Sequence, residues 1–97
     1  MFSQVEVRGC VSSEPFVGEG PDGEVVAFLV SDDAHAGRPD PACEVICEGA
    51  LARRALACVV EGSRVVVTGA LRASQPPRWE GSDLCVLRVE ARAIECV

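Results

Sequence analysis

The hydrophobic period of this chain changes in one place only, between Gly49 and Glu61. There Leu51, Ala52, Ala55, Leu56, Val59 and Val60 fall at helical spacing, and Arg53, Arg54 and Glu61 lie outside that stripe. Gly62 follows, where a C-terminal stop is expected. The other apolar segments alternate with polar residues or form β-branched runs, so they read as strands. The chain is therefore expected to be mostly β, with a single helix embedded in the strand order.

Gln4 to Val11 places Val5 and Val7 on one face and Glu6 and Arg8 on the other, and Gly9 is a candidate bulge. After the break at Ser12-Ser13-Glu14-Pro15, Phe16-Val17 begins a short strand. The turn-rich GEGPDGE at 18–24 leads through a hairpin into Val25 to Ser31. Asp32 to Pro41 is a polar loop. Ala42 to Glu48 alternates, with Cys43, Val45 and Cys47 on one face and Ala42, Glu44, Ile46 and Glu48 on the other. Beyond the helix, Arg64 to Leu71 is a β-branched strand with a bend expected at Gly69. Ser74 to Asp83 is a second polar loop, and Leu84 to Cys96 is the last long strand. The fold class expected is all-β: a small five-stranded OB-fold barrel with its helix between strands three and four. Residues 1–97 form one domain, without repeats or linkers.

Composition limits the function. With 48% hydrophobic and 25% charged residues, a packed core is expected rather than disorder. Nine basic residues, all Arg, stand against fifteen acids, for a net charge of -6. Such a charge does not attract polyanions at long range, so any nucleic-acid site needs a local basic patch. The start MFSQVEVRG lacks the pattern of a secretory signal, and no apolar run approaches bilayer length. A soluble, cytoplasmic protein without a membrane partner is expected.

The six cysteines, Cys10, Cys43, Cys47, Cys58, Cys85 and Cys96, show no CxxC spacing. Cys43 and Cys47 would sit roughly 13 Å apart on a strand, too far to share one metal. No metal site is expected, and the cysteines are expected to be buried, reduced thiols that act as small hydrophobes. The lone His35 falls in a loop. No nucleophile elbow, phosphate loop or dinucleotide fingerprint occurs, and no acid–base pair has recognisable spacing, so neither catalysis nor a cofactor is expected.

Three segments carry a resemblance. VEVRGCVSSEP at 5–15, ICEGALARRALACVVEGSRVVVTGALR at 46–72 and VEARAIECV at 89–97 resemble, in order, the opening strand, central strand–helix–strand block and closing strand of bacterial single-stranded DNA-binding proteins. The likeness implies an OB barrel, self-association as a dimer or tetramer, and sequence-tolerant single-strand binding in DNA replication, recombination or repair. Bases stack on aromatics within a basic groove in that family. Its acidic C-terminal recruiting tail has no counterpart after Val97, so recruitment by that route is not expected.

The family pattern on the third strand is aromatic, basic, aromatic. This chain has Ala42, Glu44 and Glu48 there, which would put two carboxylates on the path of the phosphates. Arg72 matches the basic residue that follows the family's "G-x-L". Arg38 lies in the loop after the second strand. Arg78 and Trp79 lie in the loop before the last strand, a region the family uses for DNA. With Arg8 on the outer side of the first strand, the expected nucleic-acid site is Arg8, Arg38, Arg72, Arg78 and Trp79, with weak and strongly salt-sensitive affinity. Phe28 is expected in the core and Phe2 and Phe16 at the barrel ends. Arg53 and Arg54 are expected on a solvated helix face, and Arg64, Arg88 and Arg92 at exposed strand positions. The competing expectation is a protein-interaction module that has lost DNA binding and acts through homo- or hetero-oligomerisation.

Overall fold

The computed structural model describes residues 4–21, 23–32, 43–72 and 88–97. Its elements are β1 (Gln4–Val11), β2 (Phe16–Gly20), β3 (Gly23–Asp32), β4 (Cys43–Glu48), α1 (Ala50–Cys58), β5 (Arg64–Arg72) and β6 (Arg88–Cys96). Five strands close into a ring in the order β1–β5–β6–β4–β3, with β3 pairing back onto β1. The pairings are antiparallel except β4 with β6, which run parallel. This is the small five-stranded barrel with one helix that the sequence pattern implies.

β2 stands outside the ring. β1 leaves β3 after Val11↔Val30, and β2 rejoins the same edge of β3 at Phe16↔Ala27. The intervening break stays tied down: the Ser12 N–H donates to the Leu29 carbonyl at 2.8 Å, and the Leu29 N–H donates to Ser13 Oγ at 2.9 Å. β2 runs on to Gly20, into residues expected to belong to the turn.

The core is built mostly from β-branched residues on inward positions: Val7 and Val11 of β1, Val26, Phe28 and Val30 of β3, Val45 of β4, Val65 and Val67 of β5, and Val89 and Ile94 of β6. Phe28 is fully buried, as expected. Cys43 and Cys47 also face the core, where burial pushes the Cys47 thiol up to about 12 and keeps it a protonated, apolar filler. Gly9 pairs in regular register with both β3 and β5 and makes no bulge.

The bulge lies elsewhere. Val89 and Ile94 have opposite parity on one strand, so both can face inward only if the register slips by one residue. The slip occurs opposite Thr68 and Gly69, where Thr68 pairs with Ala93 and Gly69 with Ala91, leaving Arg92 as the extra residue. At Gly69 the strands approach so closely that a Cβ would run into the Glu90 carbonyl and the Ala91 Cα. Gly69→Ala is expected to lower stability by about 1–3 kcal/mol, by overpacking against backbone that cannot rotate away. Urea unfolding measures this, and an unchanged midpoint would show that the bulge opens freely.

α1 packs across β3, β4 and β6 and buries Ala52 and Ala55, whose small side chains allow close approach. Arg53 and Arg54 face solvent, as expected. The helix ends at Cys58, earlier than expected, because Val59 turns extended and drops its side chain into the core. Gly62 belongs to the turn that follows. The Ser63 N–H donates to the Val60 carbonyl at 3.0 Å, and Gly62 has φ 93°, the left-handed value a tight turn of this kind requires at its third residue.

The cysteine expectation needs correction. Cys58, the last helical residue, and Cys96, the last residue of β6, form a disulfide with Cα atoms 6.5 Å apart. They meet because α1 lies against β6, a tertiary contact that spacing along the chain does not reveal. Cys85 lies outside the described residues. Among the described residues no helix is long and apolar enough to cross a membrane.

Candidate nucleic-acid interface

The outward faces of β2, β3, β4, β6 and β5 form one open groove of about 800 Å³, within the size range of ligand clefts. Strand register orders it in rows. Phe16 of β2, Ala27 of β3, Ile46 of β4, Glu90 of β6 and Ala70 of β5 make one row across the face. The next row runs Leu29, Glu44, Arg88 and Arg72. On the other side of Phe16 the row is Gly18, Val25 and Glu48. The groove therefore has an arginine-bearing end, a mostly apolar middle that also carries Glu90, and a glycine-lined end with Glu48.

Phe16 is the aromatic of this groove among the described residues. It is 53% exposed, although most of the large apolar side chains of the barrel are buried. This differs from the barrel-end packing expected of it, because β2 sits beyond the ring and the barrel has no interior to offer there. Its ring lies over Gly18, where a Cβ would approach Cε1 at 3.2 Å. The glycine leaves room for the ring to lie close to the strand with one face open. A flat, open aromatic face is the form of platform on which bases stack.

The arginines at the other end are already engaged. Arg88 Nε donates to Glu44 Oε1 at 2.8 Å, with side chains only 16% and 4% exposed. Two expectations are corrected here. Glu44 is not an exposed carboxylate: it is buried in an ion pair. Arg88 is not a plain exposed strand position but a mostly buried partner of Glu44. Arg72 Nε donates to Glu90 Oε2 at 2.7 Å, and this pair is well exposed to water. Glu48 is exposed and lines the groove as expected. With Glu19 and Glu90 also on the lining, three carboxylates stand against two guanidiniums among the described residues of the groove.

Of the expected site residues, Arg72 lies in the groove. Arg8 does not line it: it stands opposite Val66, roughly 20 Å down β5 from Arg72 by strand rise. Its Nε donates instead to Glu6 Oε2 at 3.1 Å on its own strand. Arg38, Arg78, Trp79 and Ala42 lie outside the described residues. Phe16, Arg88 and Glu90 are groove residues that sequence reasoning missed. The signal for Phe16 was present in the hairpin: the turn at 18–24 fixes Phe16 opposite Ala27, on the outward parity of β3. The signal for Arg88 was not, because pairing of β6 with β4 is a long-range contact.

No protein-family model and no curated protein matches the chain by sequence. Solved structures do match. The second single-stranded DNA-binding protein of Mycobacterium smegmatis aligns over 99% of this chain and 89% of its own, at 25% identity and a TM-score of 0.76. The small single-stranded DNA-binding protein of Streptomyces coelicolor aligns over 100% and 94%, at 24% identity and a TM-score of 0.79. A mitochondrial single-stranded DNA-binding protein of S. cerevisiae aligns over 100% and 96%, at 12% identity and a TM-score of 0.73. By its ring of strands and these likenesses, the chain is an OB-fold domain of the type found in bacterial and mitochondrial single-stranded DNA-binding proteins.

Proposed function

We propose that this domain binds single-stranded DNA across the open face of β2, β3, β4, β6 and β5, without sequence preference. The observation that carries the reading is the exposed Phe16 ring, set in a groove that also contains Arg72 and Arg88. Stacking tolerates any base, because every base has a π-face. The likeness to single-stranded DNA-binding proteins supports the same ligand. With that ligand goes a proposed role in replication, recombination or repair, and self-association as a dimer or tetramer would bring several grooves to one strand. Because the chain's net charge is -6 and acids outnumber arginines among the described lining residues, affinity rests on stacking and short-range contacts rather than on attraction from a distance.

Phe16→Ala tests the proposal. Losing one stacked base is worth about 1–3 kcal/mol, so the variant is expected to bind a labelled oligo-dT of about 16 nucleotides roughly 5- to 150-fold more weakly. Fluorescence anisotropy at low salt measures this. Equal binding by the variant would move the site away from this face. The capture of both groove arginines by carboxylates favours a second reading, a protein-interaction module without DNA binding. Absence of binding by folded wild-type protein at low salt would leave that second reading in place.

A further inference from the structure

The two ion pairs of the groove differ in kind. Arg88–Glu44 is buried, so it belongs to the fold. Arg72–Glu90 has side chains 61% and 45% exposed, and a pair so open to water contributes little to stability. Glu90 stands in the same row as Phe16 and Ile46, and Arg72 in the next row beside Arg88. A phosphate following a base stacked on Phe16 toward the arginine-bearing end meets a guanidinium whose Nε already donates to a carboxylate at 2.7 Å.

We propose that Glu90 is an intramolecular competitor for phosphate at Arg72, and that it sets how tightly and with what salt response the groove holds a single strand. The inference rests on the reading of this groove as a single-strand site. Bound DNA must take Arg72 from Glu90 or share it, and in either case a phosphate comes close to a like charge. Removing that charge while keeping the side chain's shape frees Arg72 without disturbing the β5–β6 pairing. Arg88 is not released in the same way, because its pair with Glu44 is buried and breaking it costs far more than breaking an exposed pair. Arg72 is therefore the one of these two arginines whose availability can be tuned.

Glu90→Gln, Glu6→Gln and Arg72→Ala separate the contributions. Glu6→Gln breaks the Arg8–Glu6 pair away from the groove and changes net charge by the same amount as Glu90→Gln, so it controls for charge alone. Glu90→Gln is expected to tighten oligo-dT binding by about 5-fold. The slope of log affinity against log salt is expected to steepen by about 0.7, as one more phosphate is neutralised. Glu6→Gln is expected to leave both unchanged, and the gain is expected to vanish in an Arg72→Ala background. Binding by Glu90→Gln alone, with wild type silent, also supports the competitor. Equal effects of the two Gln variants, or a gain that persists without Arg72, would overturn it while the single-strand reading stands. No binding by wild type or Glu90→Gln at the lowest salt would overturn both.

Discussion

Arg88→Ala is expected to cost about 3–5 kcal/mol of folding stability, because it leaves a buried carboxylate without its guanidinium. Glu44 is only 3% exposed, and Arg88 Nε reaches its Oε1 at 2.8 Å. The pair sits at Glu44↔Arg88, on the parallel β4–β6 seam through which the ring closes. Loss of the pair therefore strikes the contact that makes the sheet a barrel. Replacing both residues by leucine is expected to cost far less, since it removes the desolvated charge together with its partner. Urea unfolding of the single and double variants measures the difference. A single variant as stable as wild type would mean that water reaches Glu44 and that the seam does not depend on the pair.

Reduction of the Cys58–Cys96 disulfide has an effect of similar size by a different route. The bond closes a loop with a sequence separation of 38, and the chain-entropy relation gives about 4 kcal/mol for a loop of that length. For a domain of this size that corresponds to a fall in Tm on the order of 20 °C. Thermal melts with and without reductant, alongside Cys96→Ser, measure it. The serine variant should melt as the reduced protein does and ignore reductant. Wild-type melts that coincide in oxidising and reducing buffer would show that the bond adds nothing to stability. The buried Cys43 and Cys47 lie outside this loop and keep their core positions in either state.

The barrel was legible in the sequence because one-sided burial dictates parity. β1 occupies the residues that its alternation marks, and Phe28 and the inward cysteines of β4 lie in the core as that alternation requires. Features that depend on which strands become neighbours were not legible. Glu44 reads as an exposed carboxylate by parity alone; only the parallel contact with β6 supplies Arg88 and buries it. The Cys58–Cys96 bond depends likewise on α1 lying against β6. Phe16 was within reach, because the hairpin turn fixes its register, but its exposure follows from the position of β2 outside the ring. Arg72 was identified by resemblance, whereas its capture by Glu90 depends on the register at Gly69 and Ala70.

The most direct test of the central claim is a two-dimensional amide NMR titration with oligo-dT at low salt. If this face binds single strands, the shifts concentrate on Phe16, Gly18, Ile46, Arg88 and Glu90, and the outer positions of β1 around Glu6 and Arg8 stay still. A titration that leaves the groove unmoved, or that moves β1 instead, would contradict the assignment of DNA binding to this groove.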